Sequence, residues 1–209
     1  MKITSYSEGN PEGFAFDAEN AARARTIVAR YPEGRQASAV IPLLDLAQRQ
    51  NGGWLSKAAI DYVAVYLDMA PIRVYEVATF YSMFYLRPVG KHLIQVCRTT
   101  PCWLRGSDDI TRTCLGKLGV ALGEISEDGL FSVVEVECLG ACANAPMVQI
   151  NDDYYEDLTA ARMAEIIDDL RAGKAVPIGP QGGRICSAPE GGPKTLREVP
   201  ASGPAGGGD

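Results

Sequence analysis

Four of the six cysteines stand in two close pairs, and this constrains the chain more than any other feature. Cys97 and Cys102 are spaced C-x4-C, Cys138 and Cys142 are spaced C-x3-C, and thirty-five residues separate the pairs. Four thiolates in two pairs make a complete set of soft ligands, which selects iron–sulfur clusters, Zn or Cu(I) over hard cations. A fold that uses them together must bring two distant segments side by side. Three plainer readings compete. Two disulfides would suit a secreted domain, but no secretory leader precedes the cysteines and the chain is long enough to build its own core. Unrelated core cysteines are common, since free Cys packs as a small hydrophobe, but they do not explain two tight pairs. A structural zinc site accepts this spacing as readily as an iron–sulfur cluster does.

The flanking residues favour iron–sulfur. A cluster of two ferric ions, two sulfides and four thiolates carries a formal charge of about −2, and about −3 when reduced. Such an anion needs backbone N–H groups aimed at its sulfurs. Gly106 and Gly140 lack a Cβ and let the backbone approach, while Pro101 and Pro146 stiffen the ligand-bearing segments. The ligand set read from the spacing is Cys97, Cys102, Cys138 and Cys142. Cys114, on a helix face, reads as core, and Cys186 as incidental.

The rest of the chain narrows the function class. Its 209 residues, 46% of them hydrophobic, suit one or two globular domains. A net charge of −6 argues against a nucleic-acid surface. The single histidine, His92, excludes His-based metal and acid–base sites and reads as a polar residue on an edge strand. No apolar run is long enough to span a membrane. No G-x-G-x-x-G follows a strand, so the chain shows no nucleotide-binding loop of its own.

Periodicity divides the chain into an irregular arm (1–16), a helical domain (17–86), an α/β domain (87–175) and a Gly/Pro-rich tail (176–209). Asp17 caps a first helix running to about Arg30, with Ala21, Ala24, Ile27, Val28 and Tyr31 on its apolar side. A second helix spans about 39–50, with Pro42 in its first turn. Ser56 caps a third, and Pro71 opens a fourth. Four helices so close in sequence predict an antiparallel four-helix bundle. The aromatic run Phe80–Phe84 reads as core packing in preference to a partner surface. Pro88-Val89-Gly90 marks the domain boundary.

Beyond it come a strand ending at Cys97, a helix over about 106–118, a Val-rich strand from Phe131 to Glu137, a strand from Pro146 to Asn151 that Asp153-Tyr154-Tyr155 continues or turns back, and a helix capped by Thr159 and stopped by Gly173. Each cysteine pair begins just past a strand end, where ligands gather in open α/β sheets. The fold class is α+β. The end of the tail, Pro200 to Asp209, is low-complexity and expected to be flexible.

Thr99-Thr100-Pro101-Cys102 and Glu137-Cys138-Leu139-Gly140-Ala141-Cys142-Ala143-Asn144-Ala145-Pro146-Met147 resemble the two ligand loops of a known family. It comprises the thioredoxin-like [2Fe–2S] ferredoxin subunits of bacterial NADH-quinone oxidoreductase, respiratory complex I. Glu76-Val77-Ala78-Thr79-Phe80-Tyr81-Ser82-Met83-Phe84 and Tyr31-Pro32-Glu33-Gly34-Arg35 resemble the same family, and the likeness runs over roughly residues 14 to 172. It implies a thioredoxin-like fold for the α/β domain and a [2Fe–2S] cluster. It further implies a partner subunit with FMN, the NADH site and another cluster, a larger iron–sulfur subunit, and a peripheral place on the cytoplasmic side of the bacterial inner membrane. In that setting the chain takes single electrons from reduced flavin and holds no substrate site. Homologous subunits of an NAD-reducing hydrogenase or an NAD-dependent formate dehydrogenase are the nearest alternative, and a zinc-stabilised interaction module is the alternative of a different class.

Overall fold

The computed structural model describes residues 13–189, 191, 192 and 195. The first half is helical: α1 (Ala18–Val28), a 3-10 turn (Gln36–Ala39), α2 (Val40–Gln50), α3 (Lys57–Tyr66) and α4 (Pro71–Phe80). The caps are local chemistry. The Asp17 carboxylate accepts from the Asn20 N–H, the Ser56 hydroxyl accepts from the Ala59 N–H, and Pro71 fills the first turn of α4, where its missing N–H costs nothing. Leu43, Leu44, Leu55, Ile60, Val63 and Phe84 form one apolar core among these helices. Each such side chain contributes about 2 kcal/mol on leaving water.

The second half follows as β1 (His92–Cys97), α5 (Thr100–Leu104), α6 (Ser107–Leu118), β2 (Phe131–Val136), β3 (Val148–Ile150), β4 (Asp153–Glu156), α7 (Ala160–Arg171) and β5 (Gly179–Pro180). The sheet order is β2-β1-β3-β4-β5. β1 and β2 run parallel, with Cys97 opposite Val136, while β3 is antiparallel to both β1 and β4. One face, through Ile94, Val96, Val133 and Val148, packs on α6 and α7 by way of Ile110, Cys114, Met163 and Ile166. The other face meets the helical half where Leu93 and Val134 pack on Tyr85, with Trp54 and Val89 beside them. Gly90 is required at this junction: a Cβ there would lie 2.4 Å from the Phe131 backbone. Its N–H donates to Ser132 Oγ at 2.9 Å. The whole is an α+β structure.

Several expectations are corrected. His92 is not on an edge: β1 lies between β2 and β3, and the His92 ring sits 5.3 Å from that of Phe131. Phe80–Phe84 splits. Phe84 is fully buried, but Phe80 is 79% exposed, because the last turn of α4 directs it away from the core. Of the expected irregular arm, residues 1–12 lie outside the described residues, and Phe14 and Phe16 pack edge-on against Tyr62. The segment from 176 does not leave the fold at once. Val176 packs on the sheet-domain core and Gly179–Pro180 pairs parallel with β4. Pro200–Asp209, expected to be flexible, lies outside the described residues.

Candidate metal centre

Cys97 is the last residue of β1, and Cys138 comes two residues after the end of β2. Parallel pairing of these neighbouring strands therefore delivers both cysteine segments to one end of the sheet. Cys102 lies inside α5, a five-residue helix, where the sequence predicts a loop. Cys142 opens a 3-10 turn, Cys142–Asn144.

Cys97 and Cys102 are each 1% exposed and share a small apolar cluster with Ala145 and Met147, flanked by Leu139, Ala141 and Tyr154. Cys138 and Cys142 are exposed, with their sulfurs 3.4 Å apart. None of the six cysteines forms a disulfide. Among the described residues no three Cys, His, Asp or Glu side chains close on a single metal-ion point; the sulfurs are arranged as two pairs. Cys114 is fully buried in the sheet-domain core, with its thiol pushed up to about 12 by burial. Cys186 is exposed.

Donors converge on the sulfurs from both loops. The Gly140 N–H points at Cys138 Sγ, 3.4 Å away, and Gly140 sits at φ +86°, where only a residue without Cβ is unstrained. Cys97 Sγ lies 3.4 Å from the Thr99 hydroxyl. Tyr154 on β4 donates to the Leu139 carbonyl at 2.8 Å and holds the Cys138 loop against the sheet. Gly106 plays no such part: at φ +95° it makes the left-handed junction between α5 and α6, and the nearest atom to a Cβ there would be Asp109 Oδ2.

The thiols divide within each pair. Burial lifts Cys97, but the hydrogen bonds from Thr99 and Leu139 outweigh it and hold the thiol below its ordinary value. Burial, reinforced by Cys97, pushes Cys102 up to about 12. The Gly140 N–H, then Cys142 and Thr99, lower Cys138; the hydrogen bond with Cys138, then burial and the Cys138 charge, raise Cys142. In each pair one thiol is lowered and its neighbour raised, the direction in which close thiols shift one another. The donor set fits a [2Fe–2S] cluster: two thiol pairs, with the Thr99 hydroxyl at Cys97 and the Gly140 N–H at Cys138.

The family model of the thioredoxin-like [2Fe–2S] ferredoxins matches residues 24–171. The E subunit of NADH-quinone oxidoreductase from Rickettsia bellii is 63% identical over 158 residues, 76% of this chain and 95% of the relative. The chain belongs to this family of thioredoxin-like [2Fe–2S] ferredoxins. The mitochondrial NADH dehydrogenase [ubiquinone] flavoprotein 2 of Dictyostelium discoideum is 51% identical over 90% of this chain and 76% of its own length. Among solved structures, an NAD+-reducing [NiFe]-hydrogenase in the H2-reduced state matches 65% of this chain and 22% of its own, with a TM-score of 0.55 at 21% identity. That likeness shows the fold alone. Among the described residues no helix is long and apolar enough to cross a membrane.

Sequence motifs do not reveal the residues that hold the cysteine segments in place. Thr99 and Tyr154 carry hydroxyls in or near the ligand segments, but their contacts depend on strands meeting in space.

Proposed function

We propose that this chain is the electron-transfer subunit of an NADH-quinone oxidoreductase, with a [2Fe–2S] cluster held by Cys97, Cys102, Cys138 and Cys142. The observation that carries the ligand set is the delivery of two thiol pairs to the ends of adjacent parallel strands, with the Gly140 N–H directed at Cys138 Sγ and the Thr99 hydroxyl beside Cys97 Sγ. The relatives' names support the assembly. Its finer parts are inferred with it: a helical domain (17–86) built as a four-helix bundle, a thioredoxin-like domain (87–175), a partner subunit holding FMN and the NADH site, a larger iron–sulfur subunit, and a peripheral position on the cytoplasmic side of a bacterial inner membrane. The hydrogenase alternative rests on a likeness of fold at 21% identity, against 63% for the Rickettsia bellii relative.

When bound, the cluster supplies one-electron chemistry. The protein's own residues set its surroundings. Cys97 and Cys102 form a buried inner wall that excludes water. Thr99 and Gly140 direct hydrogen-bond donors at sulfur and favour added negative charge. Cys138 and Cys142 face outward, where a donor in another subunit can approach.

The test is purification of the chain with iron and acid-labile sulfide analysis. A brown-red protein with two irons and two sulfides is expected; a colourless zinc protein overturns the reading. Alone, the chain is expected not to oxidise NADH, whereas its complex with a co-expressed flavin subunit reduces ferricyanide. NADH oxidation by this chain without a flavoprotein overturns the assembly.

A further inference from the structure

The segment after α7 turns back onto the loop that carries Cys142, and every link in that return is visible. Gly179–Pro180 pairs with Tyr155 and Glu156 of β4, and the Gln181 N–H donates to the Glu156 carbonyl at 2.9 Å. Arg184 then forms a two-pronged ion pair with Asp157: Nε reaches Oδ2 at 2.6 Å, and Nη2 bonds Oδ1. Both side chains are only 13% exposed. Such a partly desolvated, bidentate pair is stronger and more directional than a surface salt bridge. Arg184 Nη1 also donates to the Ala188 carbonyl at 3.1 Å, closing the segment on itself.

The segment is tied to the cysteine loop through Asn144, two residues after Cys142 and in the same 3-10 turn. Asn144 is 2% exposed, and its amide nitrogen donates to Glu156 Oε2 at 2.7 Å and to the Cys186 carbonyl at 2.8 Å. Its own carbonyl accepts from the Asp157 N–H at 2.8 Å. Arg184 lines, together with Pro101, Arg105, Cys142 and Ala145, a cavity of about 340 Å³ beside the site.

We propose that residues 179–188 form a strap that fixes the Cys142 turn, with Asn144 and Arg184 as positioning residues for the outer ligand pair. The inference rests on the cluster reading above. The outer cysteines are exposed where the inner pair is buried, so core packing does not fix their turn, and this segment holds it by three attachments: the β4 pairing, the Arg184–Asp157 pair and the Asn144–Cys186 bond. Without the strap the Cys142 turn opens more often, and each opening exposes a ligand to competition.

The test uses the full-length chain, as wild type, Arg184→Ala, Arg184→Lys and Asn144→Ala. One readout needs no cluster: backbone hydrogen exchange at residues 142–144 in the metal-free chain. Exchange there is expected to rise about fivefold in Arg184→Ala and Asn144→Ala, the scale of one lost hydrogen bond, while α2 and α3 stay as in wild type. The second readout is release of the reconstituted cluster to a chelator, expected about fivefold faster in both variants, with partial recovery in Arg184→Lys. If buried Asn144→Ala fails to fold, Arg184→Ala decides alone. Wild-type exchange and wild-type release in Arg184→Ala overturn the strap. A wild-type chain that takes up no cluster overturns the cluster reading instead, and the exchange measurement still decides the strap.

Discussion

The two cysteine segments reach the same end of the sheet by different means. Cys97 and Cys102 are built into regular structure, one ending β1 and the other inside α5, and both are buried among Ala145 and Met147. Cys138 and Cys142 lie on an exposed segment, Cys142 opening its 3-10 turn, held by individual hydrogen bonds: Gly140 to Cys138, Tyr154 to Leu139, and Asn144 to Glu156 and to the segment after α7. The inner pair is thus fixed by the same burial that folds the domain, and its geometry follows from the core. The outer pair is fixed by hydrogen bonds that can be removed one at a time. A site built this way can present one side to a partner without losing the rigidity of the other.

The largest expected effect removes the ligands. Replacing any of Cys97, Cys102, Cys138 or Cys142 by Ala abolishes the cluster spectrum, while Cys114→Ala and Cys186→Ala retain it. The metal-free variants separate the pairs. Loss of a buried inner thiol destabilises the chain by about 1 kcal/mol in urea denaturation, and loss of an exposed outer thiol changes it by less than about 0.5 kcal/mol. Normal iron and sulfide content in Cys142→Ala would break the four-ligand assignment.

Labelling sharpens the same contrast. In the metal-free native chain, iodoacetamide is expected to modify Cys138, Cys142 and Cys186 at least about tenfold faster than Cys97, Cys102 and Cys114, because the latter react only through local opening. Mass spectrometry of a time course reads this directly. Equal rates at Cys97 and Cys138 would mean that the inner wall is not closed.

What the sequence disclosed follows the same division. The cysteine pairs, the strands ending at Cys97 and before Cys138, and the caps Asp17, Ser56 and Thr159 are local signals, and the structure has them. The features that escaped depend on contacts between distant segments. Thr100–Leu104 is too short to carry helical periodicity and is set by its place between β1 and α6. Phe80 belongs to an aromatic run that reads as core, and only packing decides that it points outward. Gly179–Pro180 has no strand propensity, yet it pairs with β4. Arg184 finds Asp157 twenty-seven residues away, a match no local pattern encodes.

A smaller effect is expected at Thr99, whose hydroxyl lies 3.4 Å from Cys97 Sγ. Thr99→Val keeps the shape and removes one donor. Negative charge added on reduction is then less well stabilised, so the cluster potential falls. A hydrogen bond of about 1 kcal/mol corresponds to about 40 mV for one electron. A redox titration followed by EPR checks it. A potential unchanged within about 10 mV would mean that the hydroxyl holds its own segment without tuning the cluster.

The smallest expected effect lies where the outer loop faces the helical half. A cleft of about 710 Å³ between the two halves is lined by Cys138 and Leu139 near one end and by Arg49 and Asp152 elsewhere, and by neither inner cysteine. Arg49 on α2 grips Asp152, in the β3–β4 turn, through two hydrogen bonds of 2.7 and 2.9 Å, and also bonds Asp45. Both partners of the Asp152 pair are more than half exposed, so the bridge contributes about 0.5 kcal/mol and weakens in salt. Arg49 holds the Asp152 carboxyl below its ordinary value of 3.8. A carboxyl lowered in the folded state adds stability that is present above the unfolded value and lost as pH falls through the folded one. Asp152→Asn is therefore expected to lower the urea midpoint slightly at pH 7, with the gap to wild type closing below about pH 4 and in about 1 M salt. In the same variant the Cys138 label rate should rise while that of Cys97 stays fixed. A parallel rise at Cys97 would show that the bridge supports the whole sheet end and not the outer loop alone.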